Sequence, residues 1–116
     1  MPISEINPSQ DSVRSTIRMA AHASGGDFNC LLRQAEIESG LNPDAKARTS
    51  SATGLFQFTE GTWLKSLQLY GARHGLNRAS SAISSNAMTS TERAALLDLR
   101  RNPEIATRMA AEYAAD

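Results

Sequence analysis

The chain has 116 residues, 41% apolar and 21% charged, which suits one folded domain with a single core and argues against disorder. Twelve Lys and Arg balance twelve Asp and Glu, so no excess charge is on hand to hold nucleic acid or an acidic membrane surface. A single cysteine, Cys30, excludes an internal disulfide and a cysteine-built zinc site. No run approaches the roughly 20 apolar residues of a membrane span, and the opening MPISEINPSQ lacks the basic and apolar regions of a secretion signal.

Val13, Ile17, Ala20 and Ala21 recur at helical spacing, and Gly25-Gly26 offers a stop, so a first helix is predicted over residues 10–24. Asp27 can cap a second helix in which Phe28, Leu31, Leu32 and Ala35 share a face; it ends at Ser39, with Gly40 as its C-terminal glycine. Residues 42–54, NPDAKARTSSATG, read as an ordered loop. Thr59 can cap a third helix, with Phe58 placed to staple against Trp63 and with Trp63, Leu67 and Tyr70 on one stripe.

Gly71 and Gly75 weaken that helix towards its end, and the serine-rich residues 77–89 are expected to form a second long loop. Ser90 is taken as the cap of a helix containing Leu96, Leu97 and Leu99. Asn102-Pro103 then ends it and starts another with Ile105, Met109 and Tyr113. No segment alternates like a strand, so the expectation is one all-α domain over residues 1–116, with about five helices and long ordered loops. Nothing before Asp116 stops the last helix, so the C-terminal end of the domain is expected to be incomplete.

Glu38 falls within about 60° of Leu31 and Ala35 on a helical projection, which puts a carboxylate on the apolar face of its own helix. Apolar surroundings and the negative end of the helix dipole both favour a protonated acid there. Such a group can donate a proton to a leaving oxygen, as glycosidic cleavage requires. A side chain that merely bends outward at a helix end is the plainer alternative. Glu36 points the other way and can pair with Arg33.

Glu38-Ser39-Gly40-Leu41-Asn42-Pro43, followed by Gly54-Leu55-Phe56-Gln57-Phe58 and Thr62-Trp63, resembles the soluble lytic transglycosylase family over residues 28 to about 76. The resemblance implies a lysozyme-like helical fold and makes Glu38 the sole catalytic acid and base. It places Ser39, Gly54, Phe56 and Gln57 at the substrate, with Phe56 standing where the family's Gly-Leu-Met-Gln motif has methionine and Gln57 contacting the sugar. The substrate it implies is the peptidoglycan glycan strand, cut between N-acetylmuramic acid and N-acetylglucosamine with a 1,6-anhydromuramoyl end. That implies action in the periplasm or cell envelope; secretion and flagellar assembly systems are candidate employers, a phage lysis role is also open, and no residue here identifies a docking partner. The family's third motif, Ala-Tyr-Asn, has no convincing copy before Asp116, and Ala111-Glu112-Tyr113 is a poor substitute.

Two rivals remain at this point: a lysozyme-type hydrolase, which needs a second carboxylate, and a glycan-binding or assembly module without turnover. Asp44 and Glu60 lie near the motifs, but a turn and a first helical turn explain them. Ser39 and Gln57 also suit a cap hydroxyl and a helix-flanking amide, and Phe56, Phe58, Trp63 and Tyr70 are aromatics more often found in a core than on a sugar. His22 and His74 stand without ligand partners at metal-binding spacing, so no metal and no cofactor is expected. Lys46, Arg48 and Arg73 are candidates to face acidic peptide stems.

Overall fold

The computed structural model describes residues 8–115, which form six α-helices joined by short turns and one long loop. The opening residues 1–7, read above for a secretion signal, and the terminal Asp116 lie outside the described residues. Helix α1 (Pro8–Ser24) begins two residues before the predicted start, and Val13, Ile17, Ala20 and Ala21 are all buried, as their spacing predicts. In α2 (Phe28–Ser39) the Asp27 carboxylate accepts the Cys30 N–H at 3.1 Å, while Leu31 and Ala35 face the core.

Helix α3 (Glu60–Tyr70) starts at Thr59, whose hydroxyl accepts the Thr62 N–H. The Phe58 ring meets Trp63 edge to face at 5.0 Å, so the staple that fixes the chain's entry angle is formed. Trp63 has no exposed surface, and its indole N–H donates to the Leu96 carbonyl at 2.8 Å. This bond satisfies the one polar atom that burying a tryptophan carries inward.

A single 3₁₀ turn, Gly71–His74, follows α3. Residues 77–84, expected to be loop, are instead a short helix, α4 (Asn77–Ser84), which brings the described residues to six helices where about five were expected. Its cause is tertiary: Ala79 is buried, and the Ser80 hydroxyl donates to the Gln68 carbonyl of α3 at 2.8 Å. The serines that made the segment look irregular sit mostly on its exposed side.

Helix α5 (Ser90–Asp98) is capped by Thr89 and not by Ser90. Only Thr89 has a glutamate three residues on, and the reciprocal bonds of a capping box are present: Thr89 N–H to Glu92 at 2.8 Å and Glu92 N–H to the Thr89 hydroxyl at 3.1 Å. Leu99 falls in a second 3₁₀ turn, Leu99–Arg101. Asn102 then caps α6 (Pro103–Ala115) by accepting the Ile105 N–H at 3.1 Å.

Helix α1 packs on α6 and α2, and α3 packs on α4, α5 and α6. Ile17, Leu55, Trp63, Leu67 and Met109 are fully buried in the shared core, each stabilising it by roughly 1.5–3 kcal/mol. Among the described residues there is no extended strand, only isolated bridges between Lys46 and Thr53 and between Thr53 and Phe58. Among the described residues no helix is long and apolar enough to cross a membrane.

The Thr89 bonds hold the Glu92 carboxyl below its ordinary value of 4.5. A depressed acid stabilises the fold above its unfolded pKa and loses that contribution as pH falls through the folded value. Glu92→Gln keeps an acceptor and removes only the charge. Wild type is therefore expected to have the higher Tm at pH 7, with the difference closing below about pH 4.5, as differential scanning calorimetry would show. Thr89→Ala is expected to cost about 1 kcal/mol.

Candidate active site

The carboxylate singled out from the sequence is set by how α2 stops. Gly40 and Leu41 both adopt left-handed backbone, with φ of 63° and 64°. The chain turns back so that Gly40 N–H reaches the Glu36 carbonyl at 2.9 Å and Leu41 N–H reaches Ala35 at 3.3 Å. Those bonds satisfy carbonyls that a helix end leaves open. The Ser39 hydroxyl donates to the Ala35 carbonyl at 3.0 Å and accepts the Asn42 N–H at 3.3 Å, so it serves as the hinge pin of this turn.

Leu41 is buried although left-handed backbone costs a leucine about 1–2 kcal/mol. The burial of its side chain offsets that strain. Glu38, one residue before Ser39, is exposed. The apolar surroundings expected around its carboxyl are absent among the described residues, because Leu31 and Ala35 are covered by the core while the last turn of α2 runs beyond it. What remains of the expectation is its place at the carbonyl end of the helix.

The second motif is a folded knot. Gly54 has φ of 91° and donates its N–H to the Ala45 carbonyl at 2.8 Å. A β-carbon at this position would collide with the Arg100 carbonyl oxygen. Leu55 and Phe56 are then buried, and Gln57 is left-handed at φ of 54°. The Gln57 side chain donates to the Ala45 carbonyl at 3.1 Å and the Gly54 carbonyl at 2.9 Å. Its Nε2 thus closes the loop on itself, and the amide oxygen is the end left for other work.

Arg100, which no sequence signal marks, locks this loop to α5. Its guanidinium is buried and donates to the carbonyls of Leu97 at 2.9 Å, Ser51 at 2.6 Å and Phe58 at 3.1 Å. Burial pushes the group below the ordinary arginine value, while the charge of Glu60 acts against that shift. Three carbonyl dipoles stand in for the carboxylate that a buried cation usually meets.

Phe56 and Gln57 border a cleft of about 200 Å³ whose other lining includes Gln34, Phe58, Thr59, Thr62 and Tyr113. Gln34 is the link to Glu38: the two stand four residues apart on α2, on neighbouring turns about 6 Å apart along the axis. Glu38, Ser39 and Gly54 are not part of that lining; Ser39 is half-buried and Gly54 buried. Phe58, Trp63 and Tyr70 belong to the core, whereas Tyr113 is 59% exposed and is the aromatic that presents ring surface.

The basic candidates are dispersed. Lys46 lies beside Thr53 and Arg101 in a separate depression, and Arg48 is exposed. Arg73 pairs with Glu112 at 3.1 Å. Neither does His74 stand alone: its Nε2 lies 2.7 Å from Glu112 and its Nδ1 lies 3.3 Å from an Arg108 nitrogen. No three His, Cys, Asp or Glu side chains converge among the described residues. A family model, that of the transglycosylase SLT domain, matches residues 15–116.

Two glycines separate strain from collision. Gly40→Ala is expected to cost about 1–2 kcal/mol, the left-handed penalty alone, since nothing lies near its added carbon. Gly54→Ala adds backbone displacement against Arg100 and is expected to cost at least about 3 kcal/mol. Gln57→Ala, which forfeits two hydrogen bonds, is expected to cost about 2 kcal/mol. Urea denaturation of the three variants checks this order.

Proposed function

The chain belongs to the transglycosylase SLT domain family, of the lysozyme-like superfamily, whose action is on peptidoglycan. From that premise we propose that it is a lytic transglycosylase, with Glu38 cleaving the bond between N-acetylmuramic acid and N-acetylglucosamine. The observation that supports the proposal is a shared lining: Gln34, one turn of α2 before Glu38, borders the same cleft as Phe56 and Gln57. The amide oxygen of Gln57, its nitrogen already tied down, accepts from a sugar hydroxyl or N-acetyl N–H.

In this reading Glu38 first gives its proton to the bridging oxygen, and the C1–O bond of the muramoyl residue breaks. The substrate's N-acetyl group shields the electron-poor C1 from the opposite side. Glu38, now a carboxylate, takes the proton of the C6 hydroxyl, and O6 closes on C1 to give the anhydro ring. One proton is taken up and one returned, and no water is consumed.

A hydrolase needs a second carboxylate about 5–9.5 Å from the first, and the two acids that lie next to the motifs in sequence are ion-paired. Asp44 pairs with Arg101 at 3.4 Å and Glu60 with Arg93 at 3.3 Å. The exposure of Glu38 leaves its carboxyl open to a glycan strand, and a strand laid over the end of α2 excludes water from the bond to be cut. The same exposure is what a binding module without turnover would also show, and catalysis has to be tested against it.

Wild-type protein incubated with purified peptidoglycan is expected to release fragments ending in anhydromuramic acid by mass spectrometry. Glu38→Gln is expected to lower turnover by about 10²–10⁴-fold while leaving strand binding in place. Fragments heavier by one water would establish the hydrolase instead. Binding without any cleavage by the wild type would establish the inactive module, and undiminished cleavage by Glu38→Gln would remove Glu38 from the chemistry.

A further inference from the structure

The cleft beside Gln57 does not end at Tyr113. A second depression, of about 570 Å³, shares Thr62 and Tyr113 with it and continues past Lys65, Ser66 and Leu69 to Tyr70. The two make one trough that starts at Gln34, a turn from Glu38, and runs about 13 Å further along α3 from Gly61 to Tyr70. Its larger part is of the size in which ligands are held.

The lining is amphipathic in the way a sugar is. Tyr113 and Leu69 supply exposed apolar surface, at 59% and 52% exposure. Phe58 meets the Tyr113 ring at 6.4 Å and an interplanar angle of 86°, which orients the ring and leaves surface for a sugar face to stack on. Thr59, Thr62, Ser66 and Tyr70 are the hydroxyl-bearing residues of the same lining.

Lys65 is the single charged side chain of either lining. It is exposed, and no carboxylate lies within ion-pair distance of it among the described residues. At the α3 end of the trough Glu60 is paired with Arg93, and Arg73 with Glu112. A lone ammonium on a flexible stem, over a floor of ring surface and hydroxyls, suits an acidic group hanging from an otherwise neutral strand.

We propose that this trough carries the glycan strand beyond the cleavage cleft and that Lys65 binds a carboxylate on its muramoyl residues, which makes Lys65 a specificity residue for acidic over neutral N-acetylglucosamine-based strands. The inference rests on the glycan reading of the cleft. The carboxylate has two sources, the lactyl acid itself or an acidic residue of a peptide stem, and both present the same chemistry to Lys65.

Dissociation constants are measured by isothermal titration at low salt for three probes: a neutral N-acetylglucosamine oligosaccharide, muramoyl strands stripped of stems, and muramoyl strands that retain them. Lys65→Gln is expected to weaken an acidic probe about fivefold, the upper end for an exposed ion pair, without changing the neutral one. Lys65→Arg is expected to restore binding, and added salt to erase the difference. The affected acidic probe identifies the source: stripped strands for the lactyl acid, stemmed strands alone for the peptide.

Tyr113→Ala is expected to weaken all three probes alike. Equal effects of Lys65→Gln on neutral and acidic probes, or no effect on any, would overturn the assignment, and so would a wild type that binds none of them. The two proposals fail separately. Loss of cleavage in Glu38→Gln with an indifferent Lys65→Gln removes only the Lys65 assignment, whereas undiminished cleavage in Glu38→Gln removes the reading of the cleft.

Discussion

The buried guanidinium of Arg100 is the constraint from which the site's geometry follows. A cation taken out of water must be met by acceptors, and here the acceptors are main-chain carbonyls drawn from three places: Leu97 on α5, Ser51 in the long loop, and Phe58 at the entry to α3. Because carbonyls have fixed directions, satisfying all three determines where the loop can lie. Gly54 is then pressed against the backbone of Arg100 with no room for a side chain. The glycine of the second motif is thus a consequence of the clamp before it is anything to a substrate.

The strain in the chain is distributed in the same sense. Apart from Asn86, the non-glycine residues in left-handed backbone among the described residues are Leu41 and Gln57, and each lies within one of the two motifs. Such conformations persist only where the surroundings over-determine them. Leu41 is held by burial, and Gln57 by two hydrogen bonds from its own amide. Both are therefore fixed points at the two ends of a loop that is otherwise rich in small residues. Rigid placement of the groups around a reacting bond is worth more to catalysis than the contacts themselves.

With the exception of the α5 cap, which falls on Thr89 and not Ser90, what the sequence disclosed and what it hid divide by distance along the chain. The caps at Asp27, Thr59 and Asn102, the stop at Gly40 and the staple from Phe58 to Trp63 all depend on residues within five positions of each other, and all are formed. Helix α4 was missed because its support comes from α3, through Ala79 and the Ser80 hydroxyl. Arg100 was invisible for the same reason, its two loop carbonyls being 42 and 49 residues away. His74 looked solitary because Glu112 and Arg108 lie 38 and 34 residues further on. Glu38 shows a different limit: a helical projection gives the side on which a residue lies but not whether anything covers that side.

The partners of His74 also explain how the far wall of the trough is held. An Arg108 nitrogen can only donate, so the Nδ1 it faces must accept, which leaves the proton on Nε2 to be donated to Glu112. Glu112 receives a second donor from Arg73 at 3.1 Å. The turn 71–74 is thereby fastened to α6 at the residue directly before Tyr113. Tyr113 owes its exposure to this anchoring: its neighbour on one side is fixed to the turn, its ring is braced against Phe58, and the remaining surface faces the trough. An aromatic held from behind and open in front loses little freedom when a flat ligand stacks on it, and a platform of that kind binds better than a mobile one of equal area.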